Sequence, residues 1–168
     1  MSEIFKSMKF EIVTKRLYLR MWEESDVLWY RELVGERGVD KPTLEAARDK
    51  IILFRERAIE SGISLLPICR RDEGDVIGYC GLIIGRSTLE EPEIAYELFK
   101  RVHGQGYATE AASAVMEAAV ATGRRRIWST VRAWNHPSFR VLEKIGFKRH
   151  HSDWDEKGEI VWNVRDLN

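Results

Sequence analysis

Apolar residues recur along this chain at two spacings, and each switch of spacing marks a new element. Leu17, Leu19 and Met21 alternate with Tyr18, Arg20 and Trp22, the two-residue period of a strand. Ser25 and Asp26 suit the cap of a short helix running to about Val34, after which Gly35 and Gly38 break the chain. Thr43 is the expected N-cap of a second helix. Leu44, Ala47, Ile51, Phe54 and Ala58 share one face of it, and Gly62 ends it. Residues 65–70 and 76–84 read as two strands joined by a polar turn at 71–75.

The second half is more regular. In a strand over residues 93–99, Ile94, Tyr96 and Leu98 share one face, while Glu93, Ala95, Glu97 and Phe99 share the other. A helix over 107–121 has a small inner face of Ala108, Ala111, Ala112, Val115 and Ala119, closed by Thr122-Gly123. A strand follows at 127–133. Asn135-His136-Pro137 then opens a helix with Phe139, Leu142 and Ile145 as its stripe and Gly146 as its stop. Two last strands, at 147–152 and 159–164, flank a turn at Lys157-Gly158. The order β-α-α-β-β-β-α-β-α-β-β predicts an α/β (α+β) sheet with helices on both faces.

Composition narrows the class without naming a reaction. The 168 residues suit one domain with a substantial core, spanning 1–168. Lys and Arg total 27, and so do Asp and Glu, so summed charge points to neither nucleic acid nor membrane. No apolar run is long enough to span a bilayer, and the first ten residues lack the apolar core and cleavage site of a secretory signal. Cys69 and Cys80 both sit in strand-like surroundings and read as reduced thiols of a cytoplasmic protein.

The candidate chemistry centres on Arg101-Val102-His103-Gly104-Gln105-Gly106-Tyr107-Ala108-Thr109-Glu110, between a strand and a helix. Two glycines at a helix start leave backbone N–H groups pointing one way, where the helix dipole adds positive character. That is a seat for an anion, though a plain structural turn has the same composition. No Gly-x-x-x-x-Gly-Lys occurs, which excludes a nucleotide-triphosphate loop. Thr109 stands where a dinucleotide fingerprint needs its third glycine, and the loop comes late in the chain, which argues against a dinucleotide-binding oxidoreductase.

The spacing Arg101-x-x-Gly104-x-Gly106-Tyr107-Ala108 resembles the Gln/Arg-x-x-Gly-x-Gly/Ala signature of the GCN5-related N-acetyltransferases (GNAT). Asn135-x-x-Ser138, followed by Val141-Leu142-Glu143-Lys144-Ile145-Gly146-Phe147, resembles the second hallmark of that superfamily. Thr14 to Arg20, Ile77-Gly78-Tyr79, Glu93-Ile94-Ala95-Tyr96 and Gly106 to Ala111 are similar to its RimJ/RimL-like branch. The resemblance covers nearly the whole chain in the correct order.

The resemblance implies a GNAT fold: a mixed, mostly antiparallel sheet splayed between the fourth and fifth strands. It implies acetyl-CoA as co-substrate, no metal, and transfer of an acetyl group to a primary amine by direct attack in a ternary complex. The acceptor would be a protein N-terminus or a small amine, and the protein a monomer or homodimer. Loop residues His103, Gly104, Gln105, Gly106, Tyr107, Ala108 and Thr109 would hold the pyrophosphate. The strand edge at Leu98, Phe99 and Arg101 would pair with the pantetheine. Asn135 and Ser138 would lie near the thioester, and Arg140 and Lys144 would reach phosphates at the adenosine end or stay in solvent; His103 would line the loop's phosphate site or face solvent.

For chemistry, Glu97 is the first candidate base and Glu93 the second, against a salt-bridged glutamate as the plain alternative. A backbone N–H near Leu98 or Phe99 would polarise the carbonyl. Many superfamily members carry a tyrosine acid where this chain has Leu142, so Ser138 is the expected proton donor to the thiolate. A thiol ionises near pH 8.5, about two units below lysine, so it needs little help in leaving. A catalytically silent acyl-CoA-binding module is the alternative. His150-His151 with Asp153 and Asp155 reads as a polar turn, Arg124-Arg125-Arg126 as a basic helix end, and Trp22, Trp29, Trp134 and Trp154 as core or acceptor-pocket walls.

Overall fold

The computed structural model describes residues 4–167; Met1, Ser2 and Glu3, part of the stretch read as lacking a signal, and Asn168 lie outside it. The strands are β1 (Ile12–Val13), β2 (Leu17–Leu19), β3 (Leu65–Arg70), β4 (Val76–Ile83), β5 (Glu93–Leu98), β6 (Arg126–Arg132), β7 (Lys148–Asp155) and β8 (Gly158–Asp166). They form one sheet in the order β1-β2-β3-β4-β5-β6-β8-β7. The helices are α1 (Val27–Gly35), α2 (Leu44–Ser61), α3 (Tyr107–Ala121) and α4 (His136–Lys144).

Each face of the sheet buries a different kind of surface. On one, α3 contributes Ala111, Ala112, Val115 and Ala119, all fully buried against Leu17, Cys80, Leu82 and Ile94. The small side chains let the helix approach the strands closely. On the other face, α1 and α2 enclose an aromatic cluster around Trp22, whose ring centroid lies 4.8 Å from Phe54 and 5.4 Å from Trp29. The Trp22 indole donates to the Leu65 carbonyl at 2.8 Å, so its one polar atom is satisfied where it is buried.

The first strand is shorter than its alternation predicts, ending at Leu19 rather than Trp22. Asp26 draws the chain away: it accepts from the Arg20 guanidinium, the Trp29 indole and the Glu23 amide. That turn tips Trp22 into the aromatic cluster. The two-residue β1 was not foreseen, being too short to show a period.

All pairings in the sheet are antiparallel except β5 with β6, which are parallel and share one register pair, Glu93 with Trp128. Beyond that pair the two strands part. The splay therefore falls between the strands predicted as fourth and fifth.

Candidate active site at the parting of β5 and β6

A regular parallel ladder would continue from Trp128 N–H on the Pro92 carbonyl to Thr130 N–H on the Ile94 carbonyl. Here Thr130 N–H donates to the Glu93 carboxylate instead, at 2.9 Å, and the Ile94 carbonyl takes the Ser129 hydroxyl. The Glu93 side chain stands in for the missing backbone bond and holds the strands apart at a fixed width. Only 3% exposed, it also accepts from the Thr130 hydroxyl and the Arg86 amide.

A cavity of about 570 Å³ opens at the split, between the end of β5, the start of α3 and α4. Its floor is the loop before α3. Gly104 and Gly106 hold φ of +78° and +82°, backbone that side chains with a Cβ rarely adopt. The first intrahelical bond runs from Glu110 N–H to the Gly106 carbonyl, so the amides of Tyr107, Ala108 and Thr109 are orphan donors of the helix start. Thr43 and Asn135 cap α2 and α4 with their side chains, whereas α3 has no side-chain cap. Lys100, His103, Arg140 and Lys144 bring positive or protonatable groups to the same cavity.

Of the residues singled out from the sequence, Glu97, Leu98, His103, Gly104, Gly106, Tyr107, Ala108, Thr109, Asn135, Ser138 and Lys144 line this cavity together. Phe99, Arg101 and Gln105 do not. The Phe99 ring is buried and its N–H is bonded to the Ile77 carbonyl of the β4 side, so it has no amide to offer the open edge. Arg101 lies over the Phe99 ring and pairs with Asp75 at 2.9 Å; Gln105 is exposed, and its carbonyl accepts from Arg16. Leu98 is the residue whose backbone faces the opening, where its carbonyl meets the His103 ring at 2.9 Å.

A second cavity, of about 390 Å³, opens where β5 begins to part from β6, beside the turn after β4. Glu93, Ala95, Ser129, Thr130, Arg86 and Arg132 are among its lining residues. The two cavities share Tyr96, Asn135 and Ser138. The Tyr96 hydroxyl sits 2.9 Å from the Ser138 hydroxyl and 3.1 Å from the Ser138 carbonyl, while the Asn135 carboxamide accepts from the Ser138 amide. Burial pushes the Tyr96 phenol well above its usual pKa, so it stays a donor at neutral pH. Tyr96 was missed as a functional candidate because its position in the alternation marks it as core, which its ring also is.

Glu97 carries a different set of partners. Arg37, from the segment between α1 and α2, grips both carboxylate oxygens, and the Tyr79 hydroxyl donates to Oε1 at 3.0 Å. Beside it, Glu36 accepts from the Lys100 amide at 2.9 Å, so the end of α1 is tied to the end of β5 twice. The chain between the helices gave no sign of this in the sequence.

A profile of the acetyltransferase (GNAT) domain matches residues 16–148. The chain belongs to the GNAT acetyltransferase family. It is 30% identical over 143 residues to the uncharacterized N-acetyltransferase YnaD of Bacillus subtilis, covering 82% of each protein. It is 24% identical over 157 residues to the uncharacterized N-acetyltransferase p20 of Bacillus licheniformis, covering 91% of this chain and 85% of that one. Among solved structures, the fold matches RimL, a ribosomal-protein α-N-acetyltransferase in complex with coenzyme A, with a TM-score of 0.80, 18% identity, and 94% and 98% of the two chains covered. The family resemblance of the loop and hallmark motifs is thus borne out, as is the GNAT fold.

Other features of this GNAT chain are structural. Trp22 and Trp29 belong to the aromatic cluster, whereas Trp134 lines the first cavity and is 72% exposed. Arg124 is buried, donating to the Leu89 carbonyl over the Phe5 ring, and Arg126 lies in β6 paired with Asp166, so the triple arginine is no basic helix end. Among the described residues, no group of three or more His, Cys, Asp or Glu is placed to hold a metal, and no helix is long and apolar enough to cross a membrane.

Proposed function

We propose that this chain transfers an acetyl group from acetyl-CoA to a primary amine, a peptide N-terminus or a small molecule, by direct attack in a ternary complex. What carries the reading is the pair of cavities along the split, meeting at Tyr96, Asn135 and Ser138. The donor enters one and the amine the other.

In this reading the amides of Tyr107, Ala108 and Thr109 hold the pyrophosphate, with Lys144 and Arg140 at the adenosine end. The open edge of β5 at Leu98 pairs with the pantetheine as a strand would, after the His103 ring yields the Leu98 carbonyl. The Leu98 N–H polarises the thioester carbonyl. The Ser138 hydroxyl, positioned by its 2.9 Å contact with the Tyr96 hydroxyl, gives its proton to the departing thiolate. Glu97 lines the donor cavity and reaches the amine only through a water at Oε2, which receives Arg37 Nε–H alone, whereas Oε1 receives Arg37 and Tyr79.

Thiol release from acetyl-CoA in the presence of an amine and peptide library tests the activity. Acetyl-CoA is expected to raise the melting temperature and NAD to leave it unchanged; the reverse sinks the reading. Stabilisation without thiol release on any acceptor would make the chain a silent acyl-CoA binder, the alternative that the absent tyrosine at Leu142 and the paired Glu97 favour.

A further inference from the structure

The second cavity has its own chemistry, and the inference drawn from it rests on reading that cavity as the acceptor's. The hydrogen-bonding capacity of its side chains is unevenly used. The Glu93 carboxylate is engaged through both oxygens, by Thr130 and by the Arg86 amide. The Ser129 hydroxyl donates to the Ile94 carbonyl. Arg132 is bound through both Nη atoms to Asp155, and once to the Gly158 carbonyl.

Two groups keep spare donors. The Arg86 guanidinium has a 3.3 Å contact to the Thr130 hydroxyl and a 3.8 Å approach to Asp155, with its side chain 47% exposed. Asn135 presents its amide nitrogen, because its oxygen faces the Ser138 amide. No lining carboxylate is left free. An acceptor bearing only an ammonium group would find no unpaired anion here, whereas one that also carries a carboxylate would meet Arg86 in the two-pronged geometry guanidinium favours.

Arg86 is also held in place for such a role. Gly85 has φ +58°, and a Cβ there would come within 2.1 Å of the Glu93 carboxylate. The turn after β4 is therefore pressed onto Glu93 and bonded to it through the Arg86 amide, which presents the guanidinium on the cavity wall. The volume of about 390 Å³ suits a small molecule. We infer that the acceptor is a small amino carboxylate, a free amino acid or a close relative, whose carboxylate Arg86 receives.

The test compares the common free amino acids with their C-terminal amides as acceptors, by thiol release from acetyl-CoA, in the wild type and in Arg86→Ala. At least one acid is expected to exceed its amide in kcat/KM by about tenfold, the scale of one charged hydrogen bond. Arg86→Ala should raise the KM for that acid by a similar factor, leave the KM for acetyl-CoA unchanged, and raise the KM for the amide far less. Turnover of amides or peptides as good as that of free acids overturns the inference while the acetyltransferase reading stands. If nothing turns over, the same amino acids are titrated calorimetrically into the CoA-loaded protein. Binding lost in Arg86→Ala supports the inference, and no binding by any of them overturns it. The rise in melting temperature with acetyl-CoA separately reports on the first cavity.

Discussion

The two cavities beside the split are built from different materials. The first is floored by main chain: glycines at positive φ, uncapped amides of α3 and the unpaired edge of β5. The second is walled by side chains that arrive from three distant segments and hold one another, with Glu93 bridging β6 and the turn after β4. Main-chain sites depend on a few residues that permit a backbone shape. Side-chain sites depend on partners, and removal of one leaves others unsatisfied.

Each cavity can be broken without the other if this contrast is sound. Gly106→Val strikes the first hardest. A β-branched residue at φ +82° costs about 1–2 kcal/mol and crowds the amides, so acetyl-CoA affinity should fall roughly 10- to 100-fold in a calorimetric titration, with circular dichroism unchanged. Ser138→Ala, at the meeting point, should lower kcat by ~10- to 100-fold with acetyl-CoA affinity retained, and Tyr96→Phe by less. An equal loss of affinity in either variant would mean the pair is a wall of the donor site and not a proton relay.

Glu93→Ala should disturb the second cavity through the fold. It strands the Thr130 and Arg86 amides, so Tm should drop by about 5–10 °C and turnover several-fold, while coenzyme A still binds. Glu97→Gln has a narrower expected effect: a changed pH profile of kcat, because it removes a proton acceptor without removing the side chain. An unchanged profile takes Glu97 out of the mechanism and leaves it as an anchor for Arg37.

The smallest effect belongs to Asp75, which pairs with both Arg70 and Arg101. Hydrogen bonds from Arg70 hold its carboxyl at about 2, against the opposing pull of burial and with help from Arg101. A folded-state value below the unfolded one stabilises the protein above about pH 4, and this contribution fades as pH falls towards 2. Asp75→Asn should therefore flatten the acid limb of a stability–pH curve and leave neutral turnover unchanged.

The same contrast explains what was legible. The glycine loop, the Asn135 cap and the alternation of β5 were readable because each rests on local backbone rules. Arg101 looked like part of the loop, yet its long side chain found Asp75 across the β3–β4 turn, 26 positions away. Tyr96 obeys the strand period, sharing a face with Ile94 and Leu98. Only the approach of α4 puts its hydroxyl on Ser138.

The sequence by itself determined the family, the order of elements and the place of the anion-binding backbone, since these follow from periodicity, glycines and caps acting over a few residues. Tertiary structure alone decided that Glu97 is gripped by Arg37, that Glu93 replaces a strand bond, and that Arg86 keeps donors to spare. Those outcomes depend on which charged groups meet across the fold, and long side chains reach partners that no local pattern encodes.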